Sequence, residues 1–581
     1  MLWGKVLAIV LACFCCYWPA MHGGWLWDDD TLLTQNPDIF SPTGLWNIWF
    51  KPSTPDYFPL TITGLWVQWR FFGMEPSGYH VVSIALHAAG ALMLWWALGK
   101  MRVPGAWLAG LIFAVHPVCV PSVAWVAEQK NTVSMPLFLA AWGFFVMWEE
   151  ARAEGGGGRG FYLRALVFFL LAMLAKSSVV MFPVAALLFI WWRRGAVGIG
   201  DVARLAPFFA VSFVLGLVTV WFQHGKAMGG EAVALGGALE RLALAGMALV
   251  FYLGNVFLPS NLMAIYPRWD VDPPQWWQFL PWAGMAAAGV VFWVFRKSWG
   301  RHALMAFGFF AIMVLPVLGF VKIAYMRITW VSDHFIYLSM LGPVALAAAV
   351  VAVLWNSGSL AKRVAAGAAV FALLGGLGVT TYGYARVWSG EEALWNHNLQ
   401  RNWNAWQAHS RLGALEHRRG NFEKTHLHFT EAGKLRPDLP EIKNNLGSLL
   451  MNSDRHAEAL GLFEEAVRLS PRSQPLLDNL VRSLIAHGRN AEALEHARAL
   501  CELYPDDATN FHNLGILLKI ENQDEAARAA FRAALRINPN FSESTKMLFV
   551  LDEEKRTGKL PEDWMVPTPT KEGELPRATG S

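Results

Sequence analysis

Apolar stretches recur through the first two thirds of the chain, at residues 2–21, 79–98, 104–118, 132–148, 161–175, 179–192, 204–222, 279–295, 303–320, 335–355 and 364–384. In hydrocarbon every backbone N–H and C=O must find its partner within its own segment, so stretches of this kind can only be helices. The pattern predicts an all-α, polytopic membrane helix bundle of about eleven crossings over residues 1–384. Composition supports this: 55% of residues are hydrophobic, with 30 Trp and 37 Phe, and only 16% are charged. A net charge of +4 with no basic run gives no footing for a nucleic-acid partner. The five cysteines suggest no disulfide framework, since Cys13, Cys15 and Cys16 fall inside the first apolar stretch. No small-x-small cleavage site follows residues 2–21, so that stretch is expected to be a retained anchor.

Basic residues fix the expected orientation. Lys100 with Arg102, Arg152 to Arg164, Arg193 with Arg194, Arg296 to Arg301 and Lys362 with Arg363 are expected to be cytoplasmic. The loops at residues 22–77 and 116–131, the corner at Lys176 and everything after Tyr384 are then outside. Residues 240–258 are apolar enough to cross, but crossing would carry Arg296–Arg301 outside. They are read as an in-plane or re-entrant helix on the outer face; the alternative is twelve crossings with a cytoplasmic C-terminus. Within residues 22–77, Thr43–Phe50 and Leu60–Phe72 carry aromatic residues at helical spacing, as interfacial helices do.

Beyond residue 384 a period of 34 takes over. Leu412, Leu446, Leu480 and Leu514 recur, each followed by Gly413, Gly447, Val481 or Gly515. Phe429, Phe463, Ala497 and Phe531 follow, then Ala432, Ala466, Leu500 and Ala534, and a closing Pro437, Pro471, Pro505 or Pro539. This is a tetratricopeptide (TPR) array of four repeats, an α-solenoid whose small residues let paired helices approach. The third repeat departs at Val481, Ala497 and Leu500, which is expected to loosen its packing. The expected organisation is a membrane domain over 1–384, a linker over 385–404, the array with a capping helix over 405–556, and a disordered tail over 557–581.

Chemistry concentrates in the outward loops. Asp28, Asp29 and Asp30 are three adjacent carboxylates where the first helix leaves the bilayer. His116, Glu128 and Lys130 lie in the second outer loop, Lys176 at its corner, and Arg327, Asp333 and His334 before the tenth stretch. Each has an ordinary structural reading: an acidic flank, a helix-capping His, snorkelling lysines, a local Asp–His pair. Gathered at one membrane surface they suit a reaction on a phosphate-linked lipid, in which cations hold the phosphate and a carboxylate deprotonates an acceptor hydroxyl. No nucleotide loop, nucleophile elbow or zinc spacing is present.

The motifs Trp27-Asp-Asp-Asp, Asn36-Pro37, Tyr57-Phe-Pro-Leu60, Gly78-Tyr-His80, Leu111-Ile-Phe-Ala-Val-His-Pro117 and Ser122-Val-Ala-Trp-Val-Ala-Glu-Gln-Lys-Asn131 follow in order. Leu174-Ala-Lys176, Tyr266-Pro267 and Ser332-Asp-His-Phe-Ile-Tyr-Leu338 come next, all ahead of TPR repeats. In that order they resemble the TPR-bearing transmembrane O-mannosyltransferases and their bacterial relatives, within the GT-C glycosyltransferases. The resemblance implies a multi-pass enzyme of a bacterial inner membrane that uses a polyprenyl-phosphate-linked sugar as donor. It implies Asp28 or Asp29 as catalytic base, and Asp30, His116, Glu128, Lys130, Lys176, Arg327, Asp333 and His334 as substrate-binding candidates, with no metal site assigned and metal dependence open. The partners it implies are the membrane lipid donor and an acceptor protein or peptide, engaged through the TPR array on the non-cytoplasmic side. This chain has Pro121 where relatives commonly carry an acid, and Ser332-Asp-His334 where they carry Ala-Asp-Arg. Two other classes remain open from sequence, a non-catalytic envelope scaffold recruiting partners through its repeats and a transporter, although no inverted repeat is visible.

The topology is directly testable. A cysteine introduced by Ser542→Cys should react with a membrane-impermeant maleimide in intact cells or spheroplasts. Labelling only after the membrane is broken would restore a crossing at 240–258.

Overall fold

The structure, a computed structural model, describes residues 2–52, 54, 56–227, 235–451 and 455–559. Among these it is all-helical, and the chain divides into two units, Met1–Ala405 and Trp406 onward.

In the first unit, among the described residues, eight helices are long and apolar enough to cross a membrane, where the sequence suggested eleven crossings. A ninth is reached if Ala106–Ala114 and Pro117–Ala124, which meet at 55°, count as one span. The bend has a local cause: Pro117 lacks an N–H and forces His116 out of the helical region, to φ −82° and ψ 126°. Leu2–Cys16 and Leu341–Asn356 are apolar but shorter than 18 residues. Arg159–Ala175, with 17 residues, stops at the Lys176 corner. The segment read as lying on the outer face forms a 20-residue helix, Ala238–Phe257, that qualifies as a span by length and composition. Charge placement, which argued against its crossing, constrains only which side a loop prefers; length and apolarity decide which helices can span.

At one end of this unit the arginines of the expected cytoplasmic loops meet around shared acids. Asp201 accepts from Arg194 at 3.0 Å and from Arg152 and Arg204 at 3.3 Å, while Glu150 pairs with Arg193 at 3.1 Å. Residues 22–77 build a helical cap over another part of the bundle. Its helices Gly44–Phe50 and Pro59–Phe72 share a core of Leu33, Ile39, Ile48, Ile62, Leu65 and Tyr79. Arg70 staples the cap by donating to the carbonyls of Ile39 at 2.9 Å and Ser41 at 2.8 Å, with its guanidinium over Trp66. Trp46, Phe50 and Phe71 stay exposed on the cap, as an interfacial face requires.

Residues 385–404, expected as a linker, are instead folded into this unit. Helix Leu360–Val387 runs on to Trp388, and helix Glu391–Leu399 buries Leu394, Trp395 and Asn398. Two buried tryptophans give the segment more apolar surface to cover than a linker tolerates.

The second unit is the expected array. Helix pairs Trp406–Arg418/Phe422–Leu435, Pro440–Met451/His456–Leu469, Gln474–Ala486/Asn490–Leu503 and Ala508–Ile520/Asp524–Ile537 are followed by Ser542–Thr557. Each second helix stops two residues before its Pro. Lys519, almost fully buried, ties the capping helix down through Glu554 at 2.5 Å, and also pairs with Asp524 of the preceding helix at 2.9 Å. The tail expected at 557–581 lies, from residue 560 on, outside the described residues.

The glycines explain the repeat. A Cβ on Gly447 would sit 2.8 Å from the Phe463 ring, and one on Gly515 2.6 Å from Phe531. Where repeats pair Gly with Phe, the third pairs Val481 with Ala497, and both are buried in one core with Leu480 and Leu500. The bulk has moved from the second helix to the first, and the two helices of the third repeat approach each other less closely than those of the other three, as the sequence predicts. Gly447→Val alone should therefore overpack the second repeat and cost about 1–3 kcal/mol. Adding Phe463→Ala should recover much of that loss by copying the third repeat, as a double-mutant thermal or urea melt would show. Additive losses would contradict the exchange of volume.

Candidate active site

The acid loop leaves the first helix through a short turn, Trp18–Met21, and doubles back at Trp27, whose φ is +47°. Few residues with a Cβ adopt that region, and one that does carries strain of about 1–3 kcal/mol held by its surroundings. Those surroundings are aromatic. Trp27 stacks on Trp125 with centroids 4.9 Å apart and planes at 11°, and meets Trp395 edge-on at 5.0 Å.

The three carboxylates then separate sharply. Asp29 is fully buried, and both of its oxygens are spent on the backbone: Oδ2 accepts from Leu26 N–H at 2.8 Å and Oδ1 from Ala127 N–H at 2.7 Å. Burial pushes its carboxyl well above the usual range, and the two N–H donors pull it back in part. Asp29 is therefore the fastener between the acid loop and the segment carrying Glu128. Asp30 opens the turn Asp30–Thr34 and is half-buried. Asp28 is exposed, so of the two candidate bases it is the one a substrate can reach.

Next to this loop, Ala127 leads into a buried ionic cluster. Glu128 sits at the N-terminus of the 25-residue helix Gln129–Ala153, where the helix dipole favours a carboxylate. Its Oε1 takes Lys130 at 2.9 Å and its Oε2 takes Lys176 at 3.1 Å. Lys176 also donates to Asn131 Oδ1 at 2.7 Å, and Asn131 donates to Glu128 Oε2 at 2.7 Å and Ser122 Oγ at 3.0 Å. His334 Nε2 stands 3.8 Å from Glu128 Oε1, with its Nδ1 2.8 Å from Ser332 Oγ. Burial lowers the Lys176 ammonium to about 8, a fall that Glu128 opposes and Lys130 reinforces. Burial also lowers His334 to about 3, leaving its ring neutral near pH 7. Two ammonium groups share one carboxylate, so the cluster holds one surplus positive charge. Asp28 and Asp56 lie within electrostatic reach of Lys130, the more exposed of the lysines at 17% against 11%.

The remaining candidates go elsewhere. His116 caps the turn Pro117–Cys119 by accepting from Val118 N–H at 3.3 Å, and its Nε2 reaches Val256 O at 2.9 Å. It is a satisfied structural residue. Asp333 accepts from Tyr266 Oη at 2.8 Å and Asn255 Nδ2 at 3.2 Å, and burial raises it to about 7. It faces away from His334, so the expected Asp–His pair does not form. Arg327 donates locally to Ala324 O at 3.3 Å.

Sequence reasoning missed four contributors. Asn131 and Ser122 were inside a quoted motif, but their bonds to the cluster depend on the fold. Asp56 and Gln223 had no signal at all. Gln223 donates to Asp56 and accepts from Ala324 N–H at 2.9 Å, fastening the cap to the segment that carries Tyr325. Tyr325 in turn meets the His334 ring edge-on at 5.1 Å. Among the described residues no group of three or more His, Cys, Asp or Glu side chains is placed to hold a metal ion.

Tetratricopeptide-repeat family models match residues 440–473 and 479–540. The chain is 23% identical over 552 residues to protein O-mannosyl-transferase Tmtc3 of Drosophila melanogaster, covering 78% of this chain and 58% of that protein. It is 29% identical over 180 residues to mouse protein O-mannosyl-transferase TMTC1, covering 29% of this chain and 19% of that one. Its homologues are TPR-bearing O-mannosyl-transferases. The chain spans between a fifth and about three fifths of the length of these two curated relatives. Among solved structures, the TPR protein YrrB, described as having an unusual peptide-binding site, covers 27% of this chain and 83% of its own, at 20% identity and a TM-score of 0.25. With its long apolar helices, the chain is a multi-pass membrane protein.

The division of labour among the aspartates predicts opposite stability effects. Asp29→Ala strands two buried backbone N–H groups at about 1–3 kcal/mol each, whereas Asp28→Ala truncates an exposed side chain. Thermal unfolding of the detergent-solubilised protein should fall further for Asp29→Ala than for Asp28→Ala. Equal losses would contradict the assignment.

Proposed function

We propose that this protein is a GT-C-type membrane glycosyltransferase that moves a sugar, a hexose of the mannose type, from a polyprenyl-phosphate donor to a Ser or Thr hydroxyl of a translocated protein. Asp28 takes the hydroxyl proton. The oxygen attacks the anomeric carbon, the bond from that carbon to the phosphate oxygen breaks, and the polyprenyl phosphate leaves with the electron pair. Lys130 and Lys176 meet the charge developing on the phosphate, with Glu128 and Asn131 holding them in place. Direct displacement inverts the anomeric centre. The single observation that carries this reading is an exposed carboxylate fastened beside a buried cluster of surplus positive charge.

The homologues' names support transfer to protein; the lipid donor rests on the residues. A dry cation pair at the edge of a bundle suits a phosphate that arrives on a lipid. The site faces the non-cytoplasmic side, bacterial inner membrane being the setting, and the TPR array recruits the acceptor polypeptide.

Asp28→Asn should lower transfer from a polyprenyl-phosphate hexose about 10²- to 10⁴-fold while leaving insertion and donor binding intact. Wild-type rates in that variant would remove Asp28 as the base, and no transfer by the wild-type chain would leave a scaffold. The lysines predict a pH limit. Lys176 is charged below its value of about 8 and loses charge above it, so donor KM should rise as pH passes about 8. Glu128→Gln removes the carboxylate that supports the ammonium, so that rise should begin at lower pH. A pH-independent KM would count against phosphate binding by Lys176.

A further inference from the structure

We propose that the helix Glu391–Leu399 is a strap that positions the base: through Glu391 and Trp395 it holds Trp27 in its left-handed conformation and thereby sets the direction of Asp28. The inference rests on the reading of Asp28 as the base and adds residues more than 360 positions away to the same site.

Trp27 is the hinge of the acid loop, and its backbone at φ +47° is not one a tryptophan keeps by preference. Such a conformation persists only where neighbours over-determine it. The strap supplies several of those neighbours. Trp27 N–H donates to Glu391 Oε1 at 3.3 Å, and the Trp27 ring meets the Trp395 ring edge-on with centroids 5.0 Å apart. Just before the helix, Ser389 O accepts from Gly24 N–H at 3.0 Å, so the loop is held at two backbone donors three residues apart. Trp125, which stacks on the other side of Trp27, also packs against Trp388 at 5.7 Å.

A strap must itself be fixed, and this one is. Asn398 Oδ1 accepts from Ile265 N–H at 2.8 Å while its Nδ2 donates to Ile265 O at 3.3 Å. Asn402 Nδ2 donates to the same carbonyl at 3.1 Å, and His397 Nε2 lies 3.0 Å from Leu262 O. The action of Glu391 and Trp395 on the reaction runs through Trp27, and Asp28 is the next residue, so they are positioning residues. A reacting group displaced by even a small distance loses rate without losing substrate affinity.

The test uses the full chain in detergent or nanodiscs, assayed with a polyprenyl-phosphate hexose and an acceptor peptide. Glu391→Ala should lower kcat about tenfold to a hundredfold with both KM values held, and Glu391→Gln, which keeps the accepting oxygen, should restore most of the rate. A second readout needs no activity. In Asp28→Cys, the rate of labelling by an impermeant maleimide above the parent's background should change about threefold or more when Glu391→Ala is added, and little with Glu391→Gln. Unchanged kcat in folded Glu391→Ala, or a Gln variant as impaired as the Ala variant, would overturn the strap. So would unchanged labelling at position 28. A wild-type chain that transfers no sugar while labelling responds as stated would keep the strap and remove the enzyme reading beneath it.

Discussion

One buried carboxylate joins the two halves of the candidate site. Asp29 accepts from Leu26 in its own loop and from Ala127 one residue before Glu128, so the acid loop and the lysine cluster are held by the same side chain. A fully buried carboxylate is tolerated only when donors compensate its lost hydration, and here both donors are main-chain N–H groups. Beside it Asp28 stays exposed. That difference explains three acids in a row, since one is structural, one opens a turn and one remains reachable.

The ionic cluster obeys the same rule in another form. Glu128, Lys130 and Asn131 come from one segment and Lys176 from another 48 residues on, and each charge is met by an opposite one or by Asn131. Buried ion pairs are weak evidence for stability, because desolvation offsets much of their attraction. The cluster's two ammonium groups outnumber Glu128, with Asp28 and Asp56 also within reach of Lys130, and the proposed donor phosphate is the anion they would meet.

Much of this was legible in the sequence, and the limits are instructive. The 34-residue period gave every repeat helix, because Gly447 against Phe463 is a local requirement repeated four times with one exchange of volume at Val481 and Ala497. Asp28, Glu128, Lys130, Lys176 and His334 could be foreseen as neighbours, since each lay in an outward loop. What could not be read was direction. Nothing in Asp28-Asp29-Asp30 says which side chain turns inward; that depends on the positive φ of Trp27. His116 and Asp333 looked equal to the lysines as polar residues in apolar surroundings, yet they spend their hydrogen bonds on Val256 and Tyr266. Fewer helices meet the length for a span than the apolar stretches suggested, because Pro117 and the Lys176 corner end two of them early. Residues 385–404 were misjudged because two tryptophans outweigh their polar neighbours.

The account stands on an anionic lipid headgroup meeting Lys130 and Lys176 within reach of Asp28. The most direct measurement is an experimental structure of the full chain with a non-hydrolysable polyprenyl-phosphate sugar. The account predicts phosphate oxygens at hydrogen-bond distance from one or both lysine Nζ atoms, with the Asp28 carboxylate facing the anomeric carbon. A headgroup seated instead among the arginines around Asp201, with nothing bound between Asp28 and the lysines, would contradict it.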